Sequence, residues 1–116
     1  MMQSRNTTKE KVEIFENFQP YFSAMSKEIA DLAKKKHEAI INEKKVKFVN
    51  ARLQKLREVL KDEPEFEMLE LLDDETLPQF GDVVLVLSQY RAAMNQFRER
   101  YYDSGEFGLN GRWKIE

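Results

Sequence analysis

The chain of 116 residues carries 19 basic and 21 acidic side chains, one histidine and no cysteine. Its length is that of a single domain, and hydrophobic and charged fractions of 41% and 34% exclude a largely disordered chain and favour helices over a turn-rich β-sandwich. The absence of cysteine excludes disulfides, thiolate metal sites and a cysteine nucleophile, and it fits a cytoplasmic location.

The first helix is predicted to begin at Thr7, because Thr7-Thr8-Lys9-Glu10 matches a capping box. Residues 1–6 before it are expected to be flexible. Apolar side chains then recur at spacings of three and four, which makes one buried stripe on a helix. Pro20 lies inside this stripe and predicts either a kink or a split into two helices. The stripe consists of Phe15, Phe18, Phe22, Met25, Ile29 and Leu32.

A second helix is predicted after residues 34–42, which lose the helical period and are expected to turn the chain back. Phe48 lies on the outer side of this helix and indicates a further apolar contact there. Pro64 is expected to end the helix or to follow it. The stripe consists of Val46, Val49, Leu53, Leu56 and Leu60.

Charge is segregated into two neighbouring blocks. Residues 34–61 carry ten Lys or Arg against three Glu, and residues 62–76 carry eight acidic side chains and no basic one. The acidic block is predicted to form a short helix from Pro64 to Leu72. Packing of the two blocks against each other is expected to bring Arg57 or Lys61 towards Glu65 or Glu67.

The stretch from Asp82 to Tyr102 is predicted to be the central helix of the fold, with Asp82 as its N-cap. Val83 to Leu87 is a run of five apolar residues that a strand also uses, but the seven-residue period continues beyond it and favours a helix. We expect this run to be the most deeply buried part of the protein. The stripe consists of Val83, Leu87, Tyr90, Met94, Phe97 and Tyr101.

Residues 104–116 form a predicted aromatic arm after a glycine stop at Gly105. Asn110-Gly111 is a hairpin signal, with Phe107 and Leu109 before it and Trp113 and Ile115 after it. The arm is either a lid on its own bundle or an element that docks on a partner or on a second copy. The candidate partner-binding residues are Arg98, Tyr102, Phe107, Leu109, Arg112 and Trp113.

No enzyme or metal signature is present in the sequence. His37 is the only histidine, it lies in a predicted turn, and no Glu stands three residues before it as a helical carboxylate metal motif requires. Asp73-Asp74-Glu75 lacks the alternating spacing and the glycine of a calcium loop. We therefore expect no catalytic residue, no metal and no cofactor. No membrane contact is expected either, since no apolar run approaches the roughly 18 residues of a spanning helix.

Nucleic-acid binding is the alternative function that the basic block supports, because phosphate contacts need a high density of cations. These cations spread around the helix and form no single stripe, and the nearby acidic block would repel a polyanion. The residues concerned are Lys44, Lys45, Lys47, Arg52 and Lys55.

The sequence as a whole predicts an all-α antiparallel bundle of about four helices, in one domain that spans residues 1–116. Strict stripes of this kind also serve homodimers. The favoured function is a non-enzymatic protein–protein interaction module, such as an adaptor, inhibitor or assembly factor, whose partner is another protein or a second copy. A small helical protein that contacts nucleic acid through the basic block is the alternative.

Overall fold

A computed structural model describes residues 6–116, apart from the side chain of Phe107, and it is mostly helical. The predicted flexible start therefore lies almost entirely outside the described residues. Within them the body consists of α1 (Lys9–Lys36), α2 (Glu43–Leu60) and α3 (Phe80–Tyr101). A 3₁₀ helix (Pro64–Met68) follows α2. After α3 the strands β1 (Tyr102–Asp103) and β2 (Arg112–Trp113) pair antiparallel around a second 3₁₀ turn (Glu106–Gly108). The predicted all-α class is confirmed, whereas the predicted count of four helices is wrong.

The N-cap of α1 is Thr8 and not Thr7, because the Thr8 side chain accepts from the amide of Lys11 at 3.2 Å. Thr7 instead pairs its backbone with the end of the chain, where its amide donates to the carbonyl of Lys114 at 2.9 Å. The helix runs unbroken through Pro20, whose side chain is exposed, so the predicted split is wrong. The buried stripe on both sides of the proline stabilises the continuous helix.

α1 runs antiparallel to both other helices. Near its beginning, Lys11 pairs with Asp62, just after the end of α2, at 2.6 Å from Nζ to Oδ2. The ring of Phe15 stacks on that of Phe97, near the end of α3, with centroids 5.2 Å apart. α1 packs against α2 and α3 to the same extent, and these two contact each other less. The central position predicted for α3 therefore belongs to α1, and α2 and α3 run parallel to each other.

The parallel course of α2 and α3 explains the connection between them, residues 61–79. It must return along α2, which has 18 residues and is about 27 Å long. Ten extended residues span roughly 33 Å, whereas the same number in a helix spans about 15 Å. The chain accordingly leaves the 3₁₀ turn after Met68 and continues without a helix, with one bend at residues 74–76, to Gln79, which forms an antiparallel bridge with Ile40. This geometry is why the predicted helix from Pro64 to Leu72 stops early.

The three predicted stripes meet in one core, and every member of the α2 and α3 stripes is buried. Phe18 and Leu32 at the edge of the α1 stripe are half-buried. The three largest fully buried side chains all come from α3: Tyr90, Phe97 and Tyr101.

The beginning of α3 differs from the prediction in two respects. Gln79 is the N-cap and Asp82 is the third helical residue, whose carboxylate accepts from the Gln79 amide at 3.3 Å. The predicted Asp82 cap is thus displaced by one turn. Leu85 is 63% exposed, so the apolar run that starts α3 is not the most deeply buried part of the protein. This end of α3 contacts α1, the 37–41 turn and, through Phe80, the side chain of Lys45 in α2, and the side that carries Leu85 lies in solvent.

Candidate functional site

One flank of α2 is covered by the chain's own acidic segment, residues 62–76. The side chain of Asn50 holds this segment at Leu72, because its Nδ2 donates to the Leu72 carbonyl at 2.9 Å and its Oδ1 accepts from the Leu72 amide at 2.8 Å. Leu69 and Leu72 are buried. Two more carbonyls are bound by side chains: Arg57 Nη1 donates to Leu69, and the Tyr90 hydroxyl donates to Glu70 at 2.7 Å.

Tyr90 ties the acidic segment to α3 as well as to α2. Burial raises the pKa of Tyr90 above its ordinary value of 10.0. The phenol therefore keeps its proton and remains a donor to the Glu70 carbonyl throughout the neutral range. The extended backbone on this flank is thus bonded by polar side chains from two helices.

A buried charge cluster lies at the N-terminal end of the same segment. Glu63 is only 6% exposed, and its carboxylate accepts from the Tyr101 hydroxyl at 3.0 Å and from Arg100 Nη1 at 2.9 Å. Arg100 also binds the carboxylate of Glu65. Its hydrogen bonds to Glu65, and then to Glu63, raise the pKa of Arg100 above its ordinary value. The cluster fixes the turn that leads out of α2.

This cluster corrects the predicted pairing of the two charged blocks. The cation that meets Glu65 is Arg100 of α3, and neither Arg57 nor Lys61 forms an ion pair within the described part of the chain. Arg57 instead lies over the ring of Phe66, 4.4 Å from its centroid, and donates to a backbone carbonyl. The prediction failed because it assumed two packed helices, whereas the segment is extended and needs donors for its backbone.

The opposite flank of α2 is open and forms a groove with α1, which we call the α1–α2 groove. It has a volume of about 410 Å³, within the range of protein ligand pockets. Phe48 stands at its edge with 51% of its surface exposed. The apolar lining consists of Met25, Ile29, Leu32, Phe48 and Val49, and the polar lining consists of Glu28, Asn42, Lys44 and Lys45.

The basic residues predicted from the sequence divide into two groups in the structure. Lys47 pairs with Glu43 at 3.0 Å, which raises the pKa of Lys47, and Lys55 pairs with Glu58 at 3.8 Å. These two cations are thus compensated along α2 itself, although exposed pairs of this kind are weak.

The other three basic residues lie at the α1–α2 groove. Lys44 and Lys45 line it, and neither forms an ion pair among residues 6–116. The guanidinium of Arg52 lies over the Phe48 ring, 3.5 Å from its centroid. An exposed aromatic ring therefore stands among cations that no described carboxylate neutralises.

The α1 side of the groove was not identified from the sequence, although one signal pointed to it. Phe48 lies outside the α2 stripe and indicated a second apolar contact, and it does line the groove. Met25 and Ile29 belong to the core stripe of α1, so their second role at the groove floor leaves no separate mark in the periodicity.

The aromatic arm packs on its own bundle through Trp113. Its ring lies 5.4 Å from that of Phe15, 5.9 Å from that of Phe97 and 5.2 Å from that of Tyr102, between centroids. Its Nε1 donates to the carboxylate of Glu16 at 3.1 Å. These contacts are those of a lid over the N-terminal part of α1 and the C-terminal part of α3.

The hairpin of the arm has a different register from the predicted one. Tyr102 pairs with Trp113 and Asp103 with Arg112, so the loop runs through residues 104–111 and does not turn at Asn110-Gly111. Gly105 has a φ of 73°, and a Cβ there would lie 1.8 Å from the Leu109 carbonyl oxygen, so only glycine fits.

Of the six candidate partner-binding residues, the structure places three in contact with one another. The guanidinium of Arg98 lies over the Tyr102 ring, 4.3 Å from its centroid, and Trp113 packs on the same ring. Arg112 is exposed and Leu109 is 65% exposed, while the side chain of Phe107 lies outside the described residues. Their role in partner binding stays a prediction.

Within residues 6–116 no group of three His, Asp or Glu side chains is placed to hold a metal ion. Among the same residues, no helix combines the length and the apolar character that crossing a membrane requires. Comparisons of the chain with protein-family models, with curated proteins and with solved structures find no match.

Proposed function

We propose that the protein is a non-enzymatic interaction module that binds another protein in the α1–α2 groove. The observation that carries this proposal is the exposed Phe48 ring at the edge of an apolar groove, beside Lys44 and Lys45. Half-exposed aromatic rings in apolar depressions are common anchors of protein interfaces. An adaptor, inhibitor or assembly factor acts in this way, by presenting a shaped surface.

The groove is favoured over the arm because the ring of Phe48 at its edge is only half covered within the molecule. Trp113 already packs on Phe15 and Phe97, so its burial contributes to folding. Phe48 contributes little to the core, since half of its surface is in solvent. A side chain of that size gains apolar contact area when a partner covers it, roughly 25 cal/mol for each Å² buried. The absence of cysteine favours the cytoplasm as the place of action.

The test is quantitative affinity enrichment from a native lysate with three forms of the protein: the wild type, Phe48→Asp and Leu85→Asp. Leu85 is a matched control, because it is also a large exposed apolar residue on a helix but lies away from the groove. We expect a set of proteins that the wild type and Leu85→Asp retain and that Phe48→Asp loses. Circular dichroism must show that all three forms are folded.

Equal enrichment by all three forms would overturn the groove as the interaction surface. A second copy of the chain is tested in parallel by sedimentation of the same variants. Self-association that only Phe48→Asp abolishes would identify the partner as another copy of the protein.

Nucleic acid is the second candidate, and the Phe48 ring with Arg52 beside it is the observation that favours it, since bases stack on such platforms. A labelled single-stranded oligonucleotide at low salt tests this candidate. Binding that is lost as salt rises, and lost in a Lys44→Glu/Lys45→Glu variant, would favour nucleic acid over protein. The intrahelical pairing of Lys47 and Lys55 weighs against it.

A further inference from the structure

We infer that the occupant of the α1–α2 groove is an acidic amphipathic helix of another protein, with its apolar side chains on the groove floor and its carboxylates at Lys44 and Lys45. This inference rests on the proposed function and specifies its partner. It is drawn from a contrast between the two flanks of α2, one of which already holds a peptide segment.

The covered flank shows which chemistry α2 binds. The segment there carries eight acidic side chains within residues 62–76 and no basic one. It buries Leu69 and Leu72 against the bundle and places Phe66 under the guanidinium of Arg57. A peptide with apolar anchors thus fits a surface of α2 inside this same molecule, while its carboxylates at Glu63 and Glu65 are bound by Arg100 of α3.

The open flank repeats the charge and the aromatic contact but lacks the acidic peptide. Arg52 lies 3.5 Å from the ring centroid of Phe48 within α2 itself, whereas on the covered flank Arg57 lies 4.4 Å from the ring centroid of Phe66 in the segment. Lys44 and Lys45 add two positive charges, and Glu28 is the one acidic residue in the lining of the groove. The local excess of positive charge attracts a negatively charged partner and disfavours a basic one.

The backbone requirements of the two flanks decide between an extended peptide and a helix. On the covered flank, Asn50, Arg57 and Tyr90 bind the amide and carbonyl groups of an extended segment. In the groove, the one carboxamide in the lining is Asn42, whose Oδ1 already accepts from the Lys45 amide at 2.8 Å. Backbone groups placed over an apolar floor without partners are destabilising.

A helix avoids this penalty, because it satisfies its backbone internally. Met25, Ile29 and Leu32 are spaced by four and three along α1 and form a ridge. The side chains at positions i, i+3 and i+7 of a docked helix can pack beside this ridge. The partner should therefore present two or three apolar residues on one helical face, with Glu or Asp beside them.

A displayed peptide library tests the inference directly. Each member is a helical peptide of about 18 residues, long enough to form several turns. Positions on one face vary over Leu, Ile, Phe and Ala, and the remaining positions vary over Glu, Lys, Gln and Ala. The library is selected on the wild-type protein and counter-selected on Phe48→Asp, with Leu85→Asp as the matched control.

We expect the enriched peptides to be acidic, to carry apolar residues at three- and four-residue spacing, and to bind Leu85→Asp as well as the wild type. A synthetic enriched peptide should bind Lys44→Glu/Lys45→Glu roughly tenfold more weakly, since two weak exposed ion pairs are replaced by like-charge repulsion. Fluorescence anisotropy of the labelled peptide measures this change.

Enrichment of basic or uncharged peptides, or no enrichment that depends on Phe48, would overturn the acidic helix as occupant. If lysate proteins still depend on Phe48 in that case, the proposed function stands and only the occupant is wrong. If neither the lysate nor the library shows dependence on Phe48, both proposals fail. Binding of the labelled oligonucleotide in place of any acidic peptide would assign the groove to nucleic acid and overturn the inference.

Discussion

Each flank of α2 has an arginine over an aromatic ring, but the ring belongs to the covering segment on one flank and to α2 itself on the other. On one flank Arg57 lies over Phe66, and the chain's own acidic segment covers both; on the other flank Arg52 lies over Phe48, and the groove beside them is open. The covered flank has polar side chains that bond an extended backbone, of which Asn50 makes two bonds to one residue. The open flank has an apolar floor and lysines.

This difference follows from the direction of the helices. Because α2 and α3 run parallel, the chain must return between them, and that return covers the α2–α3 side of the bundle. The α1–α2 side needs only the short turn at residues 37–42, so no segment among the described residues passes over it. An uncovered groove is thus a consequence of the topology, and its lysines and aromatic edge are the groups that the proposed partner would contact.

Removing an anchor of the covering segment should have the largest effect on stability. Leu69→Ala deletes a side chain that is 4% exposed and is expected to lower the free energy of unfolding by about 2 to 4 kcal/mol. Met68→Ala is the control, because its neighbouring side chain is 67% exposed and should change stability by less than about 0.5 kcal/mol. Urea denaturation followed by circular dichroism measures both. Equal effects of the two changes would show that the segment is not held as described.

Asn50→Ala should have the next largest effect, because it leaves the amide and the carbonyl of Leu72 without their partner. The expected loss is roughly 1 to 3 kcal/mol. Gln54→Ala, one turn further along α2 on an exposed position, is the matched control and should be nearly neutral. Faster hydrogen exchange of the Leu72 amide in Asn50→Ala alone would locate the loss at the segment. Unchanged exchange there would argue against the bond.

Tyr90→Phe should lower stability by about 1 kcal/mol at neutral pH, since one hydrogen bond to Glu70 is lost. The pH dependence has a defined sign. Folding raises the pKa of Tyr90 above 10.0, so the unfolded chain loses this proton first and stability falls as the pH rises through that value. The wild type should therefore lose more stability than Tyr90→Phe between about pH 8 and about pH 10.5. Parallel losses in urea midpoint for both proteins would contradict a buried, protonated Tyr90.

Phe48→Asp on the open flank should have the smallest effect on folding, below about 0.5 kcal/mol, because half of the side chain is already in solvent. The same change should abolish groove binding, so stability and binding separate on this flank. Thermal unfolding of the variant checks the predicted small effect on stability. A loss of several kcal/mol would mean that Phe48 belongs to the core and that the groove is not an open surface.

Much of the fold could be predicted from the sequence, because periodicity reports burial along one helix. The stripes of α2 and α3 were confirmed residue by residue, and Pro20 was tolerated because α1 is buried on both sides of it. Local patterns do not report the direction in which helices run relative to each other. The acidic segment was therefore predicted to be helical, and only the parallel course of α2 and α3 shows why it must be extended.

The candidate site could be predicted only in part for a similar reason. Phe48 was identified as an outward-facing apolar residue, but the groove also needs Met25 and Ile29 from a distant part of the chain. A residue that serves both the core and a surface depression has the same spacing as one that serves the core alone. The same limit applies to Arg100, whose pairing with Glu63 joins residues 37 positions apart.

The bridge between Thr7 and Ile115 has a consequence for how the protein can be handled. The amide of Glu116 donates to the Thr7 carbonyl at 3.0 Å, so the two ends of the described chain lie side by side. Met25, the first α1 residue of the groove, lies about 24 Å further along that helix. The groove thus lies far along α1 from these two ends of the described chain. A circular permutant that joins these ends and opens at residues 73–76 would keep the groove facing solvent.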